Sequence, residues 1–331
     1  MLKEAIYLSD IIMAITLPKI LKKILITCLA IALILLSVGI YFWPTNPQIS
    51  AFLLTKQTQL NWQQIFKTNT NQAKLTLRTL QVGQIQMDRN ILLQSHNFKD
   101  DWEGRYDSLD VFSHVIEHPT EGLFLVDVGF AKEFKTSTDG NYNWLMRTMA
   151  SSSGIKNDLD VSINEQLDIN QIQSEKIKAV FMTHFHPDHS SALSDLPEYI
   201  NVIADQREYN LLSNLINNAF LQNRTWQYLD FEFSQTIAPF QQVIDVFSDQ
   251  SFFAISTVGH TAGHVSYLLN TTDGWILLAG DATHFSFGFE NNIAPAAIGK
   301  SLQKQAVESL NAIKQFKQQY SFIKIIYGHE K

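Results

Sequence analysis

Three histidines and one aspartate lie close together at positions 184–189, directly after an apolar stretch of the chain. His184 and His186 are two residues apart, so in extended backbone their side chains project to the same side. The proline that follows fixes the backbone as the chain turns, and Asp188 and His189 can then face a second position. Imidazoles and carboxylates without thiolates suit zinc and other borderline metals. The segment therefore predicts a metal site rather than a loop of solvated histidines.

Further candidate ligands come later in the chain, each beside a glycine. The sequence reads Gly-His-Thr-Ala-Gly-His at 259–264, Gly-Asp at 280–281 and Gly-His at 328–329. Glycine lets the backbone pass close to a ligand. Taken alone, a histidine or an aspartate beside a glycine is more often not a metal ligand. Three in series, each after an apolar run, favour ligands that complete the site, although spacing alone does not choose between His260 and His264.

The elements that must position these residues are typical of a layered α/β domain. Short apolar runs bounded by turn residues predict strands at 75–82, 123–128, 176–182, 201–204, 252–258, 265–270, 275–279 and 322–327. Helices are predicted at 206–220 and at 301–317, where apolar residues recur three or four apart. The short connection between 265–270 and 275–279 predicts a hairpin. This mixture favours mixed sheets over a purely parallel one.

Composition narrows the kind of site and partner. The formal net charge is -7 and the soluble part has no block of basic residues, so no nucleic-acid partner is expected. Cys28 is the single cysteine, which excludes an intrachain disulfide and a zinc site built on several thiolates. The metal ligands must therefore be histidines and carboxylates.

The N-terminal region differs from the rest of the chain. Residues 24–43 form an uncharged apolar run of about 20 residues, long enough to span a bilayer. Lysines precede the run, which by the positive-inside rule predicts a cytoplasmic segment at 1–23 and a catalytic domain outside the cytoplasm, in the periplasm. We predict a transmembrane anchor at 24–43, a linker or short helix at 44–74 and a hydrolase domain at 75–331. A cleaved signal peptide, which would give a secreted protein, is the alternative.

Taken in order, the patterns HxHxDH, GHTxGH, GD and a late GH resemble the metallo-β-lactamase superfamily from about Leu75 onward. The resemblance implies an α/β fold, a four-layer αββα sandwich with two metals at one edge of its sheets. It assigns to the first metal the ligands His184, His186 and His260. It assigns to the second metal Asp188, His189 and His329, with Asp281 bridging both. The implied cofactor is two zinc ions, with manganese, iron or cobalt as alternatives.

The same resemblance suggests roles for two residues near the ligands. His264 is not carried over as a ligand and is expected to hydrogen-bond nearby backbone. Asp127 resembles an aspartate that orients ligands through hydrogen bonds, although a simple turn aspartate explains it as well.

Within the superfamily, the ligand set narrows the branch. Asp281 stands where many class B β-lactamases have cysteine, and His186 stands where flavin-linked diiron members usually have glutamate. The complete set is similar to lactonases, glyoxalase II-type thioesterases and phosphodiesterases, and most like the lactonase and glyoxalase II-type branch. The lactonase branch commonly carries a tyrosine three residues after the bridging aspartate, where this chain has His284. This histidine either donates a hydrogen bond to a substrate carbonyl or only lines the mouth of the site.

The expected activity is hydrolysis of a lactone, ester or thioester by a hydroxide held between two zinc ions. Asp188 and His284 are the candidate catalytic residues, and Asp188 would orient the hydroxide and pass a proton to the leaving group. The partners would be a small ester or lactone and, through the N-terminal helix, the lipid bilayer. The alternatives are a phosphodiesterase of the same fold and a non-catalytic, membrane-tethered module that binds metal or ligand.

Two further apolar segments each allow two interpretations. Phe285, Phe287 and Phe289 alternate and either form an apolar wall for an acyl chain or pack in the core. Residues 141–150 either cover the site as a lid or present a buried helix face.

Overall fold

Two β-sheets form the centre of the fold, and their middle strands are apolar on both faces because each sheet is covered on both sides. The computed structural model describes residues 49–52, 61–67, 73–88, 92, 106–131, 156–157, 161–209 and 224–331. The predicted anchor at 24–43, the segment 141–150 and most of the helix predicted at 206–220 lie outside these residues. No helix in the described part of the chain is both long enough and apolar enough to cross a membrane.

The first sheet is mixed and, within the described residues, has eight strands. In chain order they are β1 (Ile49–Ala51), β2 (Thr76–Asp88), β3 (Tyr106–His118), β4 (Gly122–Val126), β5 (Lys156–Asn157), β6 (Ile177–Phe181), β7 (Asn201–Asp205) and β8 (Trp226–Leu229). Their spatial order is β1-β8-β7-β6-β4-β3-β2-β5. Strands β4, β6, β7 and β8 are parallel neighbours, so their carboxyl ends meet at one edge of the sheet.

The second sheet has six strands among the described residues. They are β9 (Gln235–Ile237), β10 (Phe240–Asp245), β11 (Phe252–Ser256), β12 (Val265–Thr271), β13 (Gly274–Leu278) and β14 (Lys324–Ile326). Their order is β14-β13-β12-β11-β10-β9. Strands β12 and β13 form the predicted hairpin, and β14 joins β13 in parallel. Strands β11, β13 and β14 therefore run in one direction and end at one edge.

The described helices are short, apart from the last. They are α1 (Trp62–Lys67), α2 (Ile163–Ile169), α3 (Pro187–Ser190), α4 (Ser286–Asn291) and α5 (Lys300–Gln319). The predicted helix at 301–317 is confirmed as α5, and its buried face repeats every three or four residues from Gln303 to Phe316. Only a 3₁₀ turn, Gln206–Glu208, is described at the start of the other predicted helix.

Three apolar layers hold the sheets and helices together. The layer between the two sheets contains residues of both, among them Phe124, Phe181, Phe252, Tyr267 and Leu269. Val180, next to Phe181 in β6, points to the opposite face and joins the layer that α2 covers, as the two-residue period of a strand requires. Helices α1 and α5 cover the outer face of the second sheet. The arrangement is the predicted four-layer αββα sandwich.

Parts of the segment predicted to be a linker or short helix pack with the domain, and one of them is the short helix α1. Strand β1 pairs in parallel with β8, and Trp62 and Ile65 of α1 are fully buried. The Trp62 ring lies 5.5 Å from that of Phe253 and 5.1 Å from that of Phe316, between centroids. The apolar side chains of α1 therefore pack on the outer face of the second sheet. Accordingly, the compact unit that reaches Lys331 begins at Asn46.

Candidate metal centre

All the predicted ligands follow the carboxyl ends of strands, and these ends meet at one edge of the sandwich. The segment 184–189 follows β6, and its last residues form the single turn of α3. His260 follows β11, Asp281 follows β13 and His329 follows β14. The amide of Val265, at the start of β12, donates to the carbonyl of Thr183 at 2.9 Å and so joins the two sheets at this edge.

The structure brings the seven predicted ligands into two groups that share one carboxylate. We call His184, His186, His260 and Asp281 the first cluster, and Asp188, His189, Asp281 and His329 the second cluster. Within each cluster the ligand atoms all lie within 4.8 Å of one another. This is the spacing at which one cation can contact every member of the group.

The two oxygens of Asp281 divide between the clusters. Its Oδ2 lies 3.2 Å from His260 Nε2 and 3.7 Å from His184 Nε2. Its Oδ1 lies 3.4 Å from His189 Nε2 and 3.4 Å from His329 Nε2. The fourth member of the second cluster, Asp188, places Oδ2 3.5 Å from His329 Nε2. Asp281 is therefore placed to bridge two cations, one at each oxygen.

The donor set fits divalent metals on its own chemistry. Among the described residues, His184 Nε2, His189 Nε2 and Asp281 Oδ1 are buried without a hydrogen-bond partner. A buried polar atom without a partner costs free energy, and one cation in each cluster would satisfy all three atoms. The first cluster offers three imidazole nitrogens and one carboxylate, and the second offers two imidazole nitrogens and two carboxylates. Zinc accepts both sets of ligands.

Hydrogen bonds on the far side of the rings fix which nitrogen faces the clusters. His189 Nδ1 donates to Asp127 Oδ2 at 2.8 Å, and His329 Nδ1 donates to the carbonyl of Asp110 at 2.9 Å. His260 Nδ1 likewise faces the carbonyl of Ala296 at 3.1 Å. With the proton held on Nδ1, each Nε2 presents a lone pair to the cluster, which is the form a metal requires.

Asp127 has the orienting geometry that the resemblance implied. It follows β4 with a positive φ of 56°, and its carboxylate accepts the amide and hydroxyl of Thr183 as well as the ring of His189. The same threonine hydroxyl lies 2.9 Å from His184 Nδ1. One buried carboxylate thus orients a ligand in each cluster.

The charges in the site act on its histidines in opposite directions. Burial and neighbouring imidazoles lower the pKa of His184, and they lower the pKa of His186 to about 3. For His189 and His329, burial opposes protonation, but the carboxylates of Asp281 and Asp188 raise the pKa above 6.5. The pKa of Asp281 is well below its usual range, because the histidines around it outweigh its burial. The second cluster thus attracts positive charge.

Glycine at 328 is required by the bridging carboxylate. A Cβ built on Gly328 would lie 2.2 Å from Asp281 Oδ1 and 2.9 Å from the carbonyl oxygen of Gly280. The backbone at Gly328 therefore lies so close to the carboxylate of Asp281 that no side chain would fit between them. This explains the glycine that precedes the last ligand.

His264 is buried and is not a member of either cluster, but the expectation about its partner was wrong. Its Nδ1 lies 2.8 Å from the hydroxyl of Thr257, a side chain rather than backbone. That hydroxyl also contacts Ser266 at 2.8 Å. His264 therefore supports the loop that carries His260 through a polar network under the site.

His284 lies against the bridging carboxylate. Its Nε2 is 3.3 Å from Asp281 Oδ2, and its ring centroid is 5.2 Å from that of His260 and 5.6 Å from that of His329. It is 4% exposed. The side chain is thus part of the wall shared by both clusters rather than an outlying residue of the mouth.

The three alternating phenylalanines do not form one wall. Residues from Ser286 onward form α4, so the side chains diverge instead of alternating along a strand. Phe285 packs in the core of the first sheet, and Phe289 packs toward α5 and Tyr327. Phe287 is 37% exposed. A strand-like pattern of only five residues did not distinguish a short helix from a strand.

Two glutamates near the site were missed from the sequence. Glu208, 3% exposed, accepts the amides of Phe185 and Gly263 at 3.0 and 2.7 Å. Glu330 accepts the amide and the hydroxyl of Ser286 at 2.7 and 2.8 Å. The available signals were weak: Glu208 follows a strand end, and Glu330 is adjacent to a candidate ligand.

Comparison with known families agrees with this fold and site. The family model of the metallo-beta-lactamase superfamily matches residues 107–329. This range covers more than half of the chain and contains every member of both clusters. The chain belongs to the metallo-beta-lactamase superfamily.

Individual relatives are more distant. A hydroxyacylglutathione hydrolase of Bartonella tribocorum is 30% identical over 154 residues, which are 46% of this chain and 49% of the relative. A gamma-lactamase of Gibberella moniliformis is 26% identical over 148 residues, 40% of this chain and 60% of the relative. The chain thus matches only about half the length of such curated relatives.

Solved structures share the fold over a larger part of the chain. A quorum-quenching N-acyl homoserine lactone lactonase superposes with a TM-score of 0.59, covering 78% of this chain and 93% of that chain at 18% identity. An N-acyl homoserine lactone hydrolase with N-hexanoyl-L-homoserine at its metal centre gives a TM-score of 0.60 at 19% identity. At such identities the likeness concerns the fold alone.

Proposed function

We propose that this protein is a dinuclear metal-dependent hydrolase, with zinc as the metal, that cleaves a lactone, ester or thioester. One observation carries the proposal: the two clusters share Asp281, whose oxygens each face one set of histidine nitrogens. A scaffold without catalysis would not need two complete ligand sets at one edge.

The residues that would hold the two cations are the members of the first and second clusters. When bound, two divalent cations lower the pKa of a water molecule toward about 7 and polarise the carbonyl of a substrate. The rest of the chemistry belongs to the protein's own side chains.

Asp188 is the residue that we propose for proton transfer. Its side chain is 15% exposed, against 3% for Asp281, so it is the carboxylate of the site with access to solvent and substrate. The carboxylate oxygen of Asp188 that does not face the second cluster would accept a proton from the attacking water and return it to the leaving oxygen or sulfur. Asp281 is enclosed by histidines and is better suited to holding charge.

His284 is the second proposed catalytic residue. Its Nε2 beside Asp281 Oδ2 places a ring N–H next to the point where both clusters meet. There it would donate a hydrogen bond to the carbonyl oxygen of the substrate, on which negative charge develops during attack.

The relatives support the substrate class without defining the substrate. Hydroxyacylglutathione is a thioester, N-acyl homoserine lactones are cyclic esters and gamma-lactams are cyclic amides, so each presents an acyl carbonyl. Each is cleaved by addition of water at carbonyl carbon. We therefore propose carbonyl hydrolysis in preference to phosphodiester hydrolysis.

A substrate panel with metal analysis tests the proposal. Purified protein loaded with zinc is assayed on acyl homoserine lactones, acylglutathione thioesters, simple esters and a phosphodiester, and its metal content is measured. We expect about two metals per chain and turnover of a carbonyl substrate that is lost on chelation and restored by zinc. Turnover of the phosphodiester alone, or bound metal with no turnover, would support the other two hypotheses instead.

We also propose that residues 24–43 anchor the protein in a membrane, with the hydrolase domain outside the cytoplasm. The apolar length of this run and the lysines before it support the proposal. Cell fractionation with alkaline carbonate extraction tests it, because an anchored protein stays in the membrane pellet whereas a secreted one is found in the soluble fraction.

A further inference from the structure

Beside the ligands of each cluster lies a separate buried or half-buried carboxylate that is not itself a ligand and that binds nearby segments of the chain. Glu208 stands at the end of the 3₁₀ turn that follows β7, and Glu330 follows the last ligand of the second cluster. The two glutamates bind different segments of backbone. They therefore give the two halves of the site independent supports.

Glu208 links the two loops that carry the histidines of the first cluster. Its Oε2 accepts the amide of Phe185, the residue between His184 and His186, at 3.0 Å. Its Oε1 accepts the amide of Gly263, in the loop of His260, at 2.7 Å. A Cβ on that glycine would lie 2.8 Å from the backbone nitrogen of Glu208, so the loops are in tight contact here. All three histidines of the first cluster are held by these two loops.

Glu330 links the last ligand of the second cluster to the start of α4. Its carboxylate accepts the amide of Ser286 at 2.7 Å and the hydroxyl at 2.8 and 2.9 Å. Beside it, the amide of His329 donates to the carbonyl of His284 at 2.8 Å, and Gly328 donates to Thr283 at 3.1 Å. Residues 328–330 are thus bound to residues 283–286, which follow Asp281, through both backbone hydrogen bonds and the carboxylate of Glu330.

We infer that Glu208 and Glu330 are positioning residues, each for the metal affinity of one cluster: Glu208 for the first and Glu330 for the second. The inference rests on the proposed function, because it assigns supports to the metal sites named there. Groups that orient metal ligands typically change metal affinity by about 10- to 100-fold when altered. Glu208 is buried whereas Glu330 is half-buried, so Glu208 should lie toward the upper end of that range and Glu330 toward the lower.

The experiment uses the full chain loaded with ¹¹³Cd²⁺ as the probe and reads each site by ¹¹³Cd NMR. The first cluster offers three nitrogens and the second offers two, so the two sites give separate resonances. In Glu208→Gln, the amide nitrogen faces one of the two backbone N–H donors, which leaves that donor without an acceptor. We expect the resonance of the nitrogen-richer site to weaken first at limiting cadmium, with the other unchanged.

In Glu330→Gln we expect the opposite selectivity. Ser286→Ala removes one donor to Glu330 without changing the glutamate, and should give the same change at smaller amplitude. Glu208→Asp, which is too short to reach both amides, replaces Glu208→Gln should that variant fail to fold. Glu308→Gln, an exposed glutamate of α5, is the matched control and should leave both resonances unaltered.

The outcomes separate this inference from the proposed function. Two resonances in the unaltered protein, with selective loss in the variants, support the inference. Equal weakening of both resonances in each variant, or no change in either, would overturn it. Fewer than two cadmium ions in the unaltered protein would contradict the dinuclear site itself.

Discussion

At the scale of single residues, Asp281 and Asp188 have different surroundings, and we therefore expect them to have different roles. Asp281 is enclosed by five imidazoles within 3.7 Å of its oxygens, in an environment that holds it ionised. Asp188 faces the opening. The geometry favours a structural bridge in one case and proton transfer in the other.

Asp188→Ala is expected to lower kcat by about 10²- to 10⁴-fold, the usual contribution of a positioned acid or base. The fold should persist, because Asp188 lies on a short turn at the rim and not in an apolar layer. The measurement is kcat at saturating zinc on the best carbonyl substrate, with bound metal determined in parallel. Asp168→Ala, an exposed aspartate on α2, is the control. Full activity in the Asp188 variant would remove this residue from the mechanism.

The pH dependence of stability follows from the second cluster. His189 and His329 have pKa values raised above 6.5 by Asp281 and Asp188, although burial opposes this. In the metal-free protein their protonated rings stabilise the fold below about pH 6.5, and this contribution is lost as the pH rises through the raised pKa. Metal binding requires the deprotonated rings.

The stabilisation by added zinc should therefore grow as the pH rises. The measurement is the difference in Tm between zinc-loaded and chelated protein from about pH 6 to 9. A difference that is constant, or that shrinks with rising pH, would contradict the pKa directions on which this expectation depends.

At the scale of elements, α1 covers part of the outer face of the second sheet. Trp62 is 2% exposed and contacts four other aromatic rings, so Trp62→Ala is expected to lower the free energy of unfolding by about 3–5 kcal/mol. Gln63→Ala, on the exposed side of the same helix, should change it by less than about 0.5 kcal/mol. Denaturant unfolding, followed by far-UV circular dichroism instead of tryptophan fluorescence, measures the free energy of unfolding of both variants. Equal effects would mean that α1 does not pack as described.

The same element shows where sequence reasoning stopped. The candidate ligand segments were predictable because each follows an apolar strand. The choice of His260 over His264 and the division of the ligands between two metals came from the resemblance. A short helix was one of the two alternatives predicted for 44–74, but the packing of α1 was not predictable, because only two of its residues are deeply buried in a stretch rich in glutamine and asparagine. Its place is decided by packing against strands far along the chain, which local pattern does not report.

The two supporting glutamates escaped prediction for a related reason. Glu208 and Glu330 bind backbone amides, and any residue except proline offers an amide. No residue type at the partner positions marks the contact. By contrast, His264 was recognised as a non-ligand only through the resemblance, and its hydroxyl partner emerged from the three-dimensional contacts.

At the scale of the whole molecule, the metal site should contribute measurably to stability. A ligand that binds only the folded state at a concentration 100-fold above its Kd stabilises by about 2.7 kcal/mol. We expect removal of metal by a chelator to lower Tm by several degrees, and re-addition of zinc to restore it. Calorimetry measures both steps, with magnesium as the control ion, since an all-oxygen preference disfavours it at imidazole ligands. An unchanged Tm would show that the two clusters are empty in the folded protein.

The division of ligands between distant strand ends has a consequence for biosynthesis. During translation, the segment 184–189 is made well before His260 and Asp281, which complete the first cluster, and before His329, which completes the second. Neither cluster can therefore form until these later strand ends exist. The Val265–Thr183 bond that joins the sheets also forms only after β12 is made. Metal binding at the two clusters would therefore be a late event, which requires strand ends far apart in the order of synthesis.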